Sequence, residues 1–393
     1  MAKSIADQVA VVGMGCTQFG EKWDKGPEDM ILDASVEAFT DAGIESEDLD
    51  AAWFGTLLTS GSGLMVSKTL KTGFIPVTRV ENKCASGSEA FRNACYAVAS
   101  GAYDVVLAVG VEKLKDSGFS GLPNTDPDPD GTRPNISAPA AFSFLAPAYF
   151  EKYGLTPEQG KEVLSRIAWK NHKNGALNPK AQYQKEVPMD KIMNVPMVAD
   201  PLGVFDCSGV SDGAAAAVIV RTEDAHKYRH DPMYVKALTI AAGTGVGAIH
   251  QDFDFTSIKE NNAAATTAYK QAGIKNPQKE ISMAEVHDCF TPTELVIYED
   301  LGFSERGEGW KDALNGKFDL DGDLPVNPDG GLKSFGHPIG ASGLRMLYEM
   351  YKQFQGKAEK RQIEHPKLGL THNLGGRPWE CVSFLSIVGK ELG

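Results

Sequence analysis

The chain has 393 residues, 42% hydrophobic and 23% charged, so it is long enough for roughly two globular domains and is neither disordered nor a membrane bundle. Its 39 basic and 52 acidic residues give a net charge of −13, which argues against nucleic acid as a partner, because binding the phosphate backbone needs a basic face. The 41 glycines predict many tight turns and close backbone approaches.

The N-terminal segment and the cysteines indicate the compartment. No basic and apolar signal segment precedes the first apolar run, at residues 9–12. The longest apolar runs, 105–111 and 213–220, are far too short for a membrane helix. The six cysteines are scattered, and none lies at zinc-knuckle spacing. We therefore expect a cytoplasmic protein with reduced thiols, no membrane span and no metal site.

The chain carries an internal duplication. Segment 38–44 (AFTDAGI) resembles segment 268–274 (AYKQAGI), and each ends a helix pattern on a glycine. Short apolar runs follow both, and residues 85–87 (ASG) are repeated at 341–343. Each half then closes on two buried-strand patterns, 105–109 and 214–220 in the first and 368–370 and 381–388 in the second. This order predicts the α/β class, with a mostly parallel sheet covered on both faces and pseudo-two-fold symmetry.

The first half is longer than the second because of an insertion between residues 112 and 201. Long insertions in compact domains are usually binding loops or lids. We expect an N-terminal half over 1–115 plus 201–228, an inserted loop subdomain over 116–200 that covers the substrate, and a C-terminal half over 229–393.

Cys84 is the first candidate for chemistry. It lies in NKCASGSEAF (82–91), between a strand-like run at 74–80 and an alanine-rich helix pattern. A cysteine at such a junction would feel the N-terminal helix dipole, which stabilises a thiolate nucleophile. The alternative is a buried structural cysteine.

His337 is the second candidate. It lies between Gly336 and Pro338 in a segment, 327–343, that contains five glycines and leads into a helix pattern. Histidine is the usual proton acceptor near neutral pH, so this loop predicts a general base. A phosphate-cradling loop with an incidental histidine is the weaker interpretation, because no G-x-G-x-x-G or P-loop pattern is present.

Two further strand ends carry candidates. His287 and Cys289 follow the strand-like run that begins at residue 283, and from burial habits alone they are expected to be core residues. His372, Gly375 and Gly376 belong to THNLGG (371–376), which predicts a strand and then a Gly-Gly turn suited to presenting N–H groups to an oxyanion. Ligands bind at the carboxyl ends of strands in open α/β sheets, so the occurrence of all four segments at such places favours a functional role for each of them.

The ordered set KCASG (83–87), HDCF (287–290), GHPIGASG (336–343) and HNLGG (372–376) resembles the thiolase superfamily, and within it the sterol-carrier-protein type. The resemblance covers essentially the whole chain. It implies a duplicated five-layered αβαβα thiolase fold with an inserted loop subdomain. It also implies acyl-CoA and coenzyme A as substrates, no permanently bound cofactor, and a homodimer or larger assembly. Some relatives of this type work with a small zinc-containing OB-fold partner protein.

The resemblance also implies a role for each residue. Cys84 corresponds to the acylated nucleophile, His337 to its base, and His287 to the group that binds the thioester oxygen. Cys289 corresponds to the acid/base at the α-carbon, and the N–H groups of Cys84 and of the Gly375-Gly376 segment to an oxyanion hole. The C-terminal Cys-x-Gly motif of the best-known thiolases is replaced here, since Cys381 comes several residues too late. The implied activity is thiolysis of a 3-oxoacyl-CoA, or the reverse Claisen condensation, through acyl-Cys84.

Two other functions remain open from the sequence. A decarboxylating ketoacyl synthase pairs one cysteine with two histidines, but Cys289 argues against it, because decarboxylation removes no α-proton. A non-catalytic acyl-CoA-binding subunit is disfavoured because all four motifs are intact. For the coenzyme A phosphates an acidic chain must concentrate positive charge locally, and we expect Lys170 and Lys173, with Lys161 and Arg166, to supply it.

Overall fold

The computed structural model describes residues 4–117, 136–245 and 253–393. The first half contains β1 (Val9–Cys16), α1 (Pro27–Ala42), β2 (Ala51–Gly55), α2 (Leu64–Leu70), β3 (Val77–Val80), α3 (Ser86–Ala99) and β4 (Val105–Glu112). The inserted segment and its return strand contain α4 (Ala138–Ser143), α5 (Leu145–Tyr153), α6 (Pro157–Gly175), α7 (Met189–Met193), β5 (Met197–Ala199), β6 (Leu202–Gly203) and β7 (Gly213–Arg221).

The second half has a similar order, but within the described residues it has four strands where the first half, with β7, has five. It contains β8 (Met233–Ala242), α8 (Lys259–Ala272), α9 (Pro277–Glu280), β9 (Met283–Glu285), α10 (Thr291–Asp300), α11 (Gly309–Leu314), α12 (Gly331–Ser334), α13 (Ile339–Phe354), β10 (Leu368–Arg377) and β11 (Glu380–Gly389). The glycine stops predicted from the duplicated segment are present in both halves. Gly43 and Gly273 are left-handed and end α1 and α8.

Nine strands form one sheet in the order β3-β2-β4-β7-β1-β8-β11-β10-β9. The two halves meet at β1 and β8, which share only two residue pairs. The expectation of a mostly parallel sheet is wrong: three neighbouring pairs are parallel and five are antiparallel. The reason is that the closing strand of each half is antiparallel to its neighbour in the sheet: β7 pairs with β4, and β11 pairs with β10.

The helices and the two halves of the sheet form five layers, as expected. Alternate residues of β4 face opposite layers: Val106 and Ala108 pack with the central helices α3 and α13, whereas Leu107 and Val109 pack with α1. Helices α8 and α10 cover the outer face of the second half. Strands such as β4 are therefore buried on both faces, which explains their uninterrupted apolar sequence.

The central helices α3 and α13 meet near their N-termini without intervening side chains. A Cβ added to Gly87, on α3, would lie 2.4 Å from the carbonyl oxygen of Gly340, on α13. One added to Gly343, on α13, would lie 2.6 Å from the amide nitrogen of Ser88, on α3. This close approach places the loop before α3, with Cys84, beside the loop before α13, with His337. The two loops hold equivalent positions in the two halves.

The inserted segment is described from residue 136 onward, and the part of the expected subdomain at 118–135 lies outside the described residues. Its helices α4, α5 and α6 share one hydrophobic core with α8 and α10 of the second half. Within the described ranges, no helix combines the length and apolar character needed to cross a membrane.

Candidate active site

Cys84 lies in a tight loop between β3 and α3. Lys83 has a positive φ of 52°, and Ser86 fixes the loop, accepting from the N–H of Asn82 at 3.0 Å and donating to the carbonyl of Lys83 at 2.6 Å. The side chain of Cys84 is half-buried. Burial, with the nearby Glu112 carboxylate as the second cause, raises the pKa of the Cys84 thiol to about 12. The thiol is therefore protonated at rest, and an adjacent base is needed to activate it.

Two histidines surround this thiol. The sulfur of Cys84 and one ring nitrogen each of His287 and His337 all lie within 4.8 Å of one another. The two imidazole rings meet edge to face, with centroids 5.4 Å apart. Cys289 is buried close by, and its pKa is raised well above the ordinary value by burial and secondly by Cys84. The structure thus brings together four of the residues singled out from the sequence.

The hydrogen bonds of His337 define its protonation. Its Nδ1 lies 2.7 Å from Oγ of Ser342, and that hydroxyl donates to the carbonyl of Pro338 at 3.0 Å. The hydroxyl must therefore accept from Nδ1–H, so Nε2 carries the lone pair. Nε2 is buried and finds no hydrogen-bond partner among the described residues. Burial, and secondly the Arg345 guanidinium, lowers the pKa of His337 to about 3, so it is a neutral base.

His287 has the opposite tautomer. The amide Nδ2 of Asn373 donates to its Nδ1 at 3.0 Å, and Oδ1 of Asn373 accepts from the hydroxyl of Ser88 at 3.2 Å. Nε2 of His287 is therefore protonated and can donate a hydrogen bond. Burial, followed by His337, lowers the pKa of His287 well below the ordinary value, so this donor is neutral. One histidine thus offers a lone pair and the other an N–H.

A cysteine and two histidines at such distances could also bind a metal such as zinc. A ligating nitrogen needs a free lone pair, however, and Nε2 of His287 carries a proton. Changing this tautomer would require the amide of Asn373 to turn over, because its Nδ2 donates to Nδ1 of His287. The arrangement favours acid–base chemistry over metal binding.

The glycine segment lies against the Cys84 loop. A Cβ on Gly375 would lie 2.2 Å from the carbonyl oxygen of Asn82 and 3.2 Å from the amide nitrogen of Ala85, so only glycine fits there. The expectation of a Gly-Gly turn is wrong. Gly375 and Gly376 are part of β10 and pair with Val382 and Cys381 of β11, because the strand continues to Arg377 before it turns.

His372 does not join the cluster. Its Nε2 contacts Asn261 at 2.9 Å and Ser383 at 3.1 Å, and its Nδ1 accepts from the backbone N–H of His287 at 3.5 Å. The expected substrate-binding role of His372 is therefore replaced by a structural one. The neighbouring residue Asn373, which sequence reasoning missed, contacts the His287 ring instead. Alternation along β10 sends these two side chains to opposite faces.

The expected phosphate-binding cations are largely occupied. Lys170 is buried, and its Nζ lies 2.6 Å from Glu294 and 2.7 Å from the carbonyl of Val326, so it is not available to a coenzyme A phosphate. Lys161 and Arg166 are paired with Asp206 and Asp319. Lys173 is half-buried, with its ammonium 4.8 Å from the ring centre of Trp169. The sequence prediction failed for Lys170 because the partner Glu294 is distant along the chain.

Comparisons with known proteins agree with this architecture. Residues 9–223 match the family model "Thiolase, N-terminal domain", and residues 241–385 match "Thiolase C-terminal domain-like". The chain is 40% identical to an acetyl-CoA acetyltransferase of Methanothermobacter thermautotrophicus, over 94% of this chain and 96% of that protein. It is 33% identical to sterol carrier protein 2 of Bos taurus, over 94% of this chain and 70% of that protein.

A solved structure described as "Ltp2-ChsH2(DUF35) aldolase" matches with a TM-score of 0.82 and 25% identity, covering 99% of both chains. Two family models, extensive identity to curated relatives and the shared fold agree with the resemblance drawn from the four motifs. The chain therefore belongs to the thiolase family of acyltransferases.

Proposed function

We propose that the protein catalyses thiolysis of a 3-oxoacyl-CoA, or the reverse Claisen condensation, through an acyl-Cys84 intermediate. The observation that carries the proposal is the complementary protonation of the two histidines around one thiol. A lone pair on His337 Nε2 suits a base, and a proton on His287 Nε2 suits a donor to an oxyanion. The curated relative named acetyl-CoA acetyltransferase supports a short acyl group.

The first half-reaction cleaves the carbon–carbon bond. His337 takes the proton of Cys84, and the sulfur attacks the 3-keto carbon, with the backbone N–H groups of Cys84 and of Gly375-Gly376 as donors to the developing oxyanion. The bond between C2 and C3 breaks, which leaves the acyl group on Cys84 and an acetyl-CoA enolate. His287 stabilises the enolate oxygen through Nε2–H, and Cys289 gives its proton to C2, so acetyl-CoA departs.

The second half-reaction regenerates the enzyme. The Cys289 thiolate takes the proton of coenzyme A, whose sulfur attacks the acyl-Cys84 thioester. The new acyl-CoA leaves, and His337 returns its proton to Cys84. Atoms and charges balance over the cycle, no bound cofactor is required, and coenzyme A enters as a substrate. Lys173 remains a candidate contact for its phosphates.

The test is thiolysis of acetoacetyl-CoA by Cys84→Ala. We expect loss of turnover with an unchanged fold, because the nucleophile is removed from a half-buried loop position. Cys95→Ala, at a buried cysteine on α3, is the matched control and should keep turnover. A Cys84→Ala protein that still cleaves acetoacetyl-CoA would refute the acyl-Cys84 pathway.

We also propose a homodimer formed through β3. This strand is an edge of the nine-stranded sheet, and its residues are half-buried or exposed. Phe74 and Leu64, which lie nearby in the chain, are 111% and 76% exposed. An uncovered edge with apolar neighbours is a template for pairing with a second copy. Analytical ultracentrifugation should give a mass twice that of the chain, which is 42.2 kDa, and Phe74→Asp should lower the measured mass toward that of one chain. A monomeric unsubstituted protein would contradict the proposal.

A heterologous partner is proposed on the strength of the aldolase neighbour, which is described together with a DUF35 protein. We expect a small zinc-containing OB-fold protein in the cytoplasm of the native host. Co-purification with the tagged chain, zinc analysis of the complex and a change in kcat on adding the partner would support it. Full activity of the isolated chain would show that the partner is not obligatory. We propose the same division of the chain as from the sequence. The N-terminal half spans 1–115 plus 201–228, the C-terminal half spans 229–393, and the inserted subdomain at 116–200 covers the substrate.

A further inference from the structure

A fully buried cluster of three charged side chains connects the segments that carry the two histidines. Nη1 of Arg345, on α13, contacts Oε2 of Glu285, the last residue of β9, and lies 2.5 Å from Oδ2 of Asp329. None of the three side chains has any solvent exposure. Asp329 is held further, because its N–H donates to Glu285 at 3.3 Å and its Oδ1 accepts from Gly331 at 2.8 Å.

Each member of the cluster is close in sequence to one side of the site. Glu285 precedes His287 by two residues at the end of β9, and Asp329 lies in the loop that leads to His337. Arg345 is nearly one helical turn after Ser342, which holds Nδ1 of His337. The guanidinium also lies 5.2 Å from the ring centre of Phe335, two residues before His337. A single side chain therefore contacts both histidine-bearing segments.

We propose that Arg345 is a positioning residue: bridging Glu285 and Asp329, it fixes the strand end that carries His287 relative to the loop that carries His337. The inference rests on the acid–base roles proposed above and adds a requirement to them. The spacing between base and donor is then set by one nitrogen, Nη1 of Arg345, which contacts both carboxyl groups. Lysine is shorter than arginine and lacks the Nε and Nη2 groups that fill this buried space, so its ammonium would not lie at the same point between the two carboxyl groups.

The charges around the cluster agree with a role at the histidines. Burial, followed by Asp329, raises the pKa of Glu285 well above its ordinary value. Lys333 also acts on His287, and Glu349 is paired with Arg361 at 3.0 Å. After burial, the positive charge of Arg345 is the second cause of the low pKa of His337.

The experiment compares two buried arginines. Arg345→Lys should lower kcat about 10²-fold with little change in KM, because the base and the donor are displaced relative to each other. Arg361→Lys is the matched control: Arg361 is also a buried arginine paired with a glutamate, but it bonds Glu349 and the carbonyl of Leu177. We expect it to retain kcat. Equal losses in the two variants, or an unchanged kcat in Arg345→Lys, would overturn the proposal.

A second readout does not depend on the substrate. The rate of Cys84 alkylation by iodoacetamide should fall in Arg345→Lys at pH 7.5, toward the rate of His337→Gln, since both lose base assistance. Above pH 10 the unsubstituted protein and both variants should approach one another as the thiol ionises directly. If the unsubstituted protein lacks thiolase activity, the proposed function fails, whereas this comparison still decides the role of Arg345.

If Arg345→Lys does not fold, the contact between Arg345 and Asp329 can be removed by changing Asp329 instead. Asp329→Asn keeps the size of the side chain and removes the charge that Arg345 neutralises. It should reproduce both the kcat loss and the slower alkylation at pH 7.5. A folded Asp329→Asn protein with normal kcat and normal alkylation would contradict the positioning role.

Discussion

At the residue scale, the proposed function depends on which nitrogen of each histidine carries the proton. Ser342 and Asn373 determine the two tautomers through their hydrogen bonds to the histidine Nδ1 atoms. Neither residue would be selected from the sequence as a reactive group. The sequence did indicate Cys84, His287, Cys289 and His337, because each lies in one of the segments that resemble the thiolase superfamily. It could not indicate Asn373 over His372, since deciding between neighbours on a strand requires knowing which face meets the site.

Asn373→Ala tests the tautomer argument. Without the amide donor, Nδ1 of His287 can carry the proton, and Nε2 then loses its ability to donate to an oxyanion. We expect kcat for thiolysis to fall by about 10²–10³-fold, as for loss of an oxyanion donor. Thr371→Val is the control on the same strand: Thr371 bonds Ser386 at 2.7 Å and does not contact His287 within the described hydrogen bonds. An Asn373→Ala enzyme with normal kcat would show that another group fixes the tautomer.

At the element scale, the contact between the N-termini of α3 and α13 determines the site. The repeat of ASG at 85–87 and 341–343 indicated that the two loops are equivalent, and the structure explains the small residues by backbone-to-backbone packing. What the repeat could not show is the role of α6. Its Lys170 bonds Glu294, and its Asn171 donates to Asp288 at 2.8 Å, so the helix is anchored by buried polar contacts beside the site. Such partners are far apart in sequence and have no local signature.

Gly340→Ala tests the close packing of the N-terminus of α13 against β2 and β4. The added Cβ would lie within 2.5 Å of two backbone carbonyl oxygens, which cannot move without shifting β2 or β4. We expect a loss of about 1–3 kcal/mol in the free energy of unfolding, measured in urea, together with reduced turnover. Gly61→Ala is the control because no atom lies within 4 Å of the added Cβ. Equal stability of the two variants would contradict the close packing.

At the scale of the whole molecule, burying uncharged histidines makes stability depend on pH. The pKa values of His337 and His372 are lowered by burial to about 3, whereas their ordinary value is 6.5. A group whose pKa is lowered by folding stabilises the native state fully above its unfolded value, and this contribution is lost as the pH falls toward the folded value. Asp288 acts in the opposite direction: burial raises its pKa to about 6, so its contribution is lost as the pH rises from about 4 to 6.

His372→Gln isolates one of these contributions. Between pH 6 and pH 4 the unsubstituted protein should lose stability more steeply than the variant, by up to about 1.4 kcal/mol per pH unit, which corresponds to one proton. Urea unfolding at several pH values measures this slope. His230→Gln is the control, because that side chain is 94% exposed and solvated in either state. Parallel slopes for the unsubstituted protein and His372→Gln would show that His372 is not buried uncharged.

The contact between α3 and α13 also bears on how such a site arises. Two copies of one half, related by a two-fold axis, bring the same loop of each copy face to face. Identical copies can supply only identical groups at that axis, two thiols or two imidazoles, and neither pair contains both a nucleophile and its base. Joining the copies in one chain removes that restriction, because each loop can then change independently. Cys84 in one half and His337 in the other are such a difference, and the proposed nucleophile and base are both present only because the symmetry is broken.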